Sequence, residues 1–261
     1  MAAAQDPEPK PLAELAPFEE GDFHALTEAL GRDPQYNDRR LVTRRKLTSI
    51  AKLAVDEIAA EVAGKGGAIE LQSRTSLHQP HMFNHMRVRR IWAYITRGKK
   101  EKARLKQVLG AELAKDLDSS YRNAYLCVAV EEAAIEVSLR IHPDAWFDGQ
   151  NLVHRTQKEG YALLLPFLNE LDGFRLKLDN WKGEWICGKL TSDKLVEFFR
   201  YYKPGEHGLA VEQRLPAPPG GRGNALAEDV PEMLVLELRR LAPLYRLVAW
   251  SQESDHLFKP R

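Results

Sequence analysis

Apolar positions recur at helical spacing over 39–63, where Leu47, Ala51, Ala54, Val55, Ile58 and Val62 fall on one stripe. This predicts a long helix, stopped by Gly64, Gly66 and Gly67. The period then shortens toward two. Residues 68–77 and 86–96 read as strands, the second with Val88, Trp92 and Tyr94 on one face and Ile91, Ala93 and Ile95 on the other. Apolar residues on both sides predict that both faces are covered, with Arg90 breaking the pattern. Residues 98–118 read as a charged helix carrying Leu105, Leu109, Leu113 and Leu117, and 125–130 with 135–141 as a hairpin turning at Glu131 and Glu132.

The second half repeats these signals without an internal repeat. A helix is predicted over 152–171, strands over 174–178 and 184–187, and a helix over 192–202 capped by Ser192 and stopped by Lys203-Pro204-Gly205. A strand follows at 209–215. Residues 216–227 (PAPPGGRGNALA) read as a flexible loop. The last helix begins near Pro231, and Pro243 is expected to kink or divide it. Hairpins outnumber strand–helix–strand units. The fold class is therefore α+β: a mainly antiparallel sheet of hairpins packed against several helices. Residues 1–21, rich in Pro, Ala and Glu, read as a disordered tail, a short helix follows at 23–30, and 22–261 form a single compact domain, with a sub-boundary near 150–172.

Composition narrows the class. Of 261 residues 44% are hydrophobic and 29% charged, enough apolar material for a core without metals or disulfides. No run of about 18 apolar residues occurs, so no membrane partner is expected. There is no secretory leader pattern, and the expected location is cytoplasmic. Cys127 and Cys187 sit in apolar surroundings and read as buried, reduced thiols.

The net charge of +1 conceals an uneven distribution. Asp6, Glu8, Glu14, Glu19, Glu20, Asp22, Glu28, Asp33 and Asp38 dominate the first 38 residues. Then Arg39, Arg40, Arg44, Arg45 and Lys46 open the long helix, and Arg97, Lys99 and Lys100 open the next one. Positive charge at a helix start opposes the helix dipole, by about 0.3–1 kcal/mol per charge. Those eight residues are the predicted phosphate contacts of a soluble intracellular accessory protein binding DNA or RNA. Arg87, Arg89 and Arg90, on a strand with Trp92 and Tyr94, add a mixture suited to pairing phosphates and stacking bases. The opposing reading is that the acidic tail neutralises the basic patch. Tail or patch would then serve a protein partner or a homo-oligomer.

A different class is a metal-dependent hydrolase or nuclease. His78, His81 and His85 are spaced as ligands for Zn²⁺ or Mn²⁺. His142, Asp144 and Asp148 follow a predicted strand, where a rigid element would position catalytic groups. The strand pattern of acidic nucleases is incomplete, since Arg175 stands two before Lys177 where an acid belongs. No Gly-x-Ser-x-Gly elbow and no Gly-x-x-x-x-Gly-Lys-Ser/Thr phosphate loop is present. Trp92 and Trp185 read as core, Trp146 as the wall of a pocket, and Trp181 at a turn as exposed.

Overall fold

The computed structural model describes residues 15–64, 70–117, 119–221 and 223–258. Among these, seven strands form one sheet in the order β1-β2-β3-β4-β7-β5-β6. They are β1 (Leu71–Thr75), β2 (Arg90–Arg97), β3 (Tyr125–Glu131), β4 (Ala134–Ile141), β5 (Arg175–Leu178), β6 (Glu184–Ile186) and β7 (Leu209–Pro216). Every neighbouring pair is antiparallel. The helices are α1 (Glu20–His24), α2 (Asn37–Gly64), α3 (Lys99–Leu113), α4 (Trp146–Glu159), α5 (Leu165–Asn169), α6 (Ser192–Tyr201) and α7 (Val230–Val248). The α+β class predicted from hairpin spacing is the observed one.

One core cluster runs from Phe18 to Ala249. From the sheet it takes only alternate side chains: Ile91, Ala93 and Ile95 of β2, Leu126, Val128 and Val130 of β3, and Ile135, Val137, Leu139 and Ile141 of β4, with matching residues of β5 and β7. Alternation puts all of these on one face. The apolar stripes of α2, α4, α5, α6 and α7 join the same cluster. The described helices therefore back one face of the sheet; on the other, Tyr94, Cys127, Ala129, Glu136 and Ser138 are buried as well, so both faces are covered, as the apolar residues on both sides of β2 predict. Tyr94 and Cys127 are buried, yet they belong to no helix-packed cluster.

Several boundaries moved for local reasons. The helix expected over 152–171 is three pieces, because Gly160 ends α4 with φ 89° and Pro166 opens α5. Thr191, not Ser192, caps α6 by accepting from Lys194 N. The helix expected over 98–118 ends at Leu113, after a non-helical Gly110 at φ 79°. Pro243 does not divide α7, because Leu241, Ala242, Leu244 and Tyr245 are buried on both sides of it and packing outweighs the lost backbone bond.

The N-terminal tail reaches less far than predicted. Phe18 is fully buried, and Glu19 bridges Ala225. Glu20 N donates to Asn224 O at 2.8 Å and Leu226 N to Phe18 O at 2.8 Å. The same bonds tether the end of the 216–227 loop, which was expected to be free. Residues 1–14, Gly66, Gly67, Ala68 and Arg222, which carried parts of these expectations, lie outside the described residues. No helix among the described residues is long and apolar enough to cross a membrane.

Both thiols are free and buried, as read from their neighbours. Burial pushes Cys127 up to about 11 and Cys187 up to about 12. Neither is expected to react with a thiol reagent at pH 8 until denaturant is added. Stoichiometric labelling of the native protein would contradict this.

Candidate functional site

The basic helix starts are largely consumed by the fold. Arg40 is fully buried. Its guanidinium donates to the carbonyls of His78 (3.0 Å), Ala25 (3.2 Å), Leu30 (2.9 Å) and Asp33 (2.7 Å), and to Asn37 Oδ1 (2.7 Å). Lys46 is buried against Asp22 Oδ2 (2.7 Å) and Pro17 O (2.6 Å). Arg39 pairs with Glu19 at 2.8 Å and Asp22 at 3.3 Å. The acidic N-terminal segment thus neutralises the start of α2, which was the opposing reading of the charge pattern. Arg44 donates to Thr75 Oγ1 at 2.9 Å, and Arg97 is buried in an ion pair with Asp148. Arg40, Lys46 and Arg97 are therefore structural, corrected from phosphate contacts by burial. Arg45, Lys99 and Lys100 are exposed.

The two helix starts also stand apart. Arg44 touches Thr75, the last residue of β1, whereas α3 begins after Arg97, which pairs with Leu71 at the first. The four steps from Thr75 to Leu71 separate these ends by roughly 13 Å at about 3.3 Å per step. The full length of β2, roughly 23 Å at the same rise, divides the predicted metal and catalytic groups. The loop with His78, His81 and His85 precedes Arg90, while His142 follows Ile141, at the far end. Among the described residues no three His, Cys, Asp or Glu are placed to hold a metal ion. His81 Nδ1 accepts from Phe83 N, and His142 Nδ1 accepts from Asp144 N at 3.1 Å. Asp148 is fully buried, accepting from Arg97, from Ala124 N at 2.7 Å and from Trp250 N at 2.7 Å. It joins four segments and has no open side for chemistry.

The arrangement that remains is the helix-free face of the sheet, the one that no helix among the described residues covers. Each strand places every second residue there. One row across the strands reads Arg74, Tyr94, Cys127, Ser138, Glu212 and Arg175. A neighbouring row reads Trp92, Ala129, Glu136 and Arg214. Tyr125 lies opposite Arg140 on the same face. The rings of Trp92 and Tyr94 are 4.9 Å apart, and those of Tyr94 and Tyr125 6.1 Å, so three aromatic side chains run together down β2 and β3. Trp92 and Tyr125 are half-buried and keep part of their surface outward. Beside them the floor is made of small residues, Cys127, Ala129 and Ser138.

A charged lattice covers that floor. Glu136, fully buried, pairs with Arg90 (3.0 Å), Arg140 (2.8 Å) and Arg214 (3.4 Å) and accepts from Ser138 Oγ (2.6 Å). Burial alone would raise its pKa. Arg90, Arg140 and the Ser138 hydroxyl outweigh burial and hold it down to about 2. Arg140 also pairs with Glu212 at 2.7 Å, and Lys177 reaches Glu212 at 3.1 Å. Arg90 pairs with Glu131 at 3.3 Å, and Arg214 pairs with the same carboxylate. This face carries the cations Arg74, Arg90, Arg140, Arg175, Lys177 and Arg214 and the carboxylates Glu131, Glu136 and Glu212, and the register sets Glu184 opposite Lys177. The carboxylates hold the guanidinium groups in place.

Sequence reading found one edge of this surface, Arg90 with Trp92 and Tyr94, and missed the rest. The signal was present as polar residues two apart: Glu136, Ser138 and Arg140 on β4, Arg175 and Lys177 on β5, Glu212 and Arg214 on β7. Comparison with known proteins produced no match, either to a protein-family model or to a curated protein.

Proposed function

We propose that the protein binds single-stranded nucleic acid across the helix-free face of its sheet. The observation that carries this reading is a ladder of three rings, Trp92, Tyr94 and Tyr125, beside a lattice that holds Arg90, Arg140, Arg214 and Lys177. Bases have π-faces that stack on such rings, and phosphates pair with guanidinium groups. A sheet face bearing half-buried rings suits an unpaired strand whose bases are splayed. Trp92 and Tyr125 take the stacking role, and Arg90, Arg140, Arg214 and Lys177 exchange part of their carboxylate pairing for phosphate. Arg45, Lys99 and Lys100 lie at the sheet ends and are peripheral to this site. Two free cysteines suit a reducing compartment, which agrees with an intracellular role.

Fluorescence polarisation with a labelled single strand tests it. Affinity is expected at about 50 mM salt and should weaken steeply by about 200 mM. Trp92→Ala should cost roughly tenfold, the scale of one lost stack. Lys177→Gln should lower the salt slope by about one. No binding at low salt, or binding that Trp92→Ala leaves intact, would reject the site.

A further inference from the structure

The segment with His78, His81 and His85 ends in a tip that is strongly apolar and faces water: Phe83 is 82% exposed, Met82 70% and Met86 58%. Soluble surfaces tolerate scattered apolar side chains, but three together on one turn need a reason. The turn is also built to stay put. His81 N donates to Asn84 Oδ1 (2.7 Å), Asn84 Nδ2 to Gln79 O (2.9 Å), Met86 N to His81 O (2.9 Å), and Val88 N to Gly31 O (2.9 Å). His85 and Met86 are both left-handed, at φ 54° and 56°, although neither is glycine. Such backbone is disfavoured for residues with a Cβ and persists only where surrounding bonds enforce it. The Phe83 ring lies on the His81 ring, with centroids 4.9 Å apart and planes at 33°. Its rigid setting presents that ring pair at a fixed angle.

The turn rises from the edge of the candidate site. Ser76, at its root, pairs with Trp92: Ser76 N donates to Trp92 O at 2.9 Å, and Trp92 N to Ser76 Oγ at 3.1 Å. The surroundings are mainly basic. Exposed Arg45 and Arg89 stand near it with Arg44, against Asp38 and against Glu28, which is tied to Arg87. A lipid surface would also suit apolar residues among cations, but it does not require a fixed ring angle. A stacked base does.

We infer that Phe83, flanked by Met82 and Met86, is a rigid apolar wedge that stacks on or between bases of the strand lying on the sheet. This rests on the nucleic-acid reading above and extends it to the sheet's end. Apolar side chains of these types enter base steps in proteins that unstack nucleic acid.

The test uses the full chain and a set of single strands with 2-aminopurine placed at successive positions. Two quenched positions are expected, one for Trp92 and one for Phe83. Phe83→Ser should abolish the second alone and weaken binding by roughly tenfold. Phe83 is so exposed that this variant should keep the wild-type melting temperature. If the strand binds and Phe83→Ser changes neither signal nor affinity, the wedge is wrong while the sheet site stands. If no strand binds, both fall. A third arm measures flotation with vesicles of anionic phospholipid. Binding there that Phe83→Ser removes, with strand binding untouched, would overturn the wedge in favour of a membrane contact.

Discussion

Glu136→Gln is expected to cost the fold about 3 kcal/mol at neutral pH, because it removes the only fully buried negative charge that Arg90, Arg140 and Arg214 share. The size follows from linkage. The Glu136 carboxyl is held at about 2, against an ordinary 4.5. A carboxyl depressed in the folded state contributes stability above its unfolded value and loses it as pH falls through its folded value. For Glu136 that contribution is complete above about pH 5 and fades toward pH 2. Urea titrations at pH 7 and pH 3 should therefore show a pH-dependent stability in the wild type that is smaller in the variant. A variant within about 1 kcal/mol of wild type at pH 7 would mean that Arg140 and Arg90 find water or other carboxylates at no cost. The same variant, once shown to be folded, should bind a single strand more tightly, because the face loses one negative charge. Opposite signs for stability and binding distinguish a charged site from a lattice that serves only the fold.

Asp148→Asn is expected to cost more, about 3–5 kcal/mol, the usual penalty for breaking one side of a buried pair. Arg97 is buried with it and would keep its charge without a counter-ion. The carboxylate also accepts from Ala124 N and Trp250 N, so β2, β3, α4 and the segment after α7 meet at this group. An amide presents two N–H donors where donors already point, and one set of bonds must fail. Thermal melting followed by Trp250 fluorescence should show the C-terminal segment loosening first. Pairing the change with Arg97→Met should recover part of the loss, since no uncompensated charge remains. If Asp148→Asn keeps full stability and loses strand binding instead, Asp148 belongs to the site and its structural assignment fails.

The legible parts of this protein are those whose signal lies within one contiguous stretch of chain. The stripe from Leu47 to Val62 made α2 readable, and the alternation on either side of Glu131 and Glu132 made the β3–β4 hairpin readable. Capping was read one residue off at Ser192, where Thr191 bonds, because adjacent hydroxyls give the same local signal. The basic helix starts were visible as charge, but burial was not. Arg40 and Arg45 look equivalent in sequence, yet one is enclosed by five acceptors and the other faces water.

The amino-acid sequence by itself determined the element types, the antiparallel class and the buried thiols, since periodicity, turn residues and apolar neighbours are local properties. Only the tertiary structure decided that helices cover one face of the sheet and leave Trp92, Tyr94 and Tyr125 beside the charged lattice on the other. The reason is strand order. Arg140 meets Glu212 across 72 residues of chain because β7 inserts between β4 and β5. Such a pairing is chosen by the packing of the whole core, which no local pattern records.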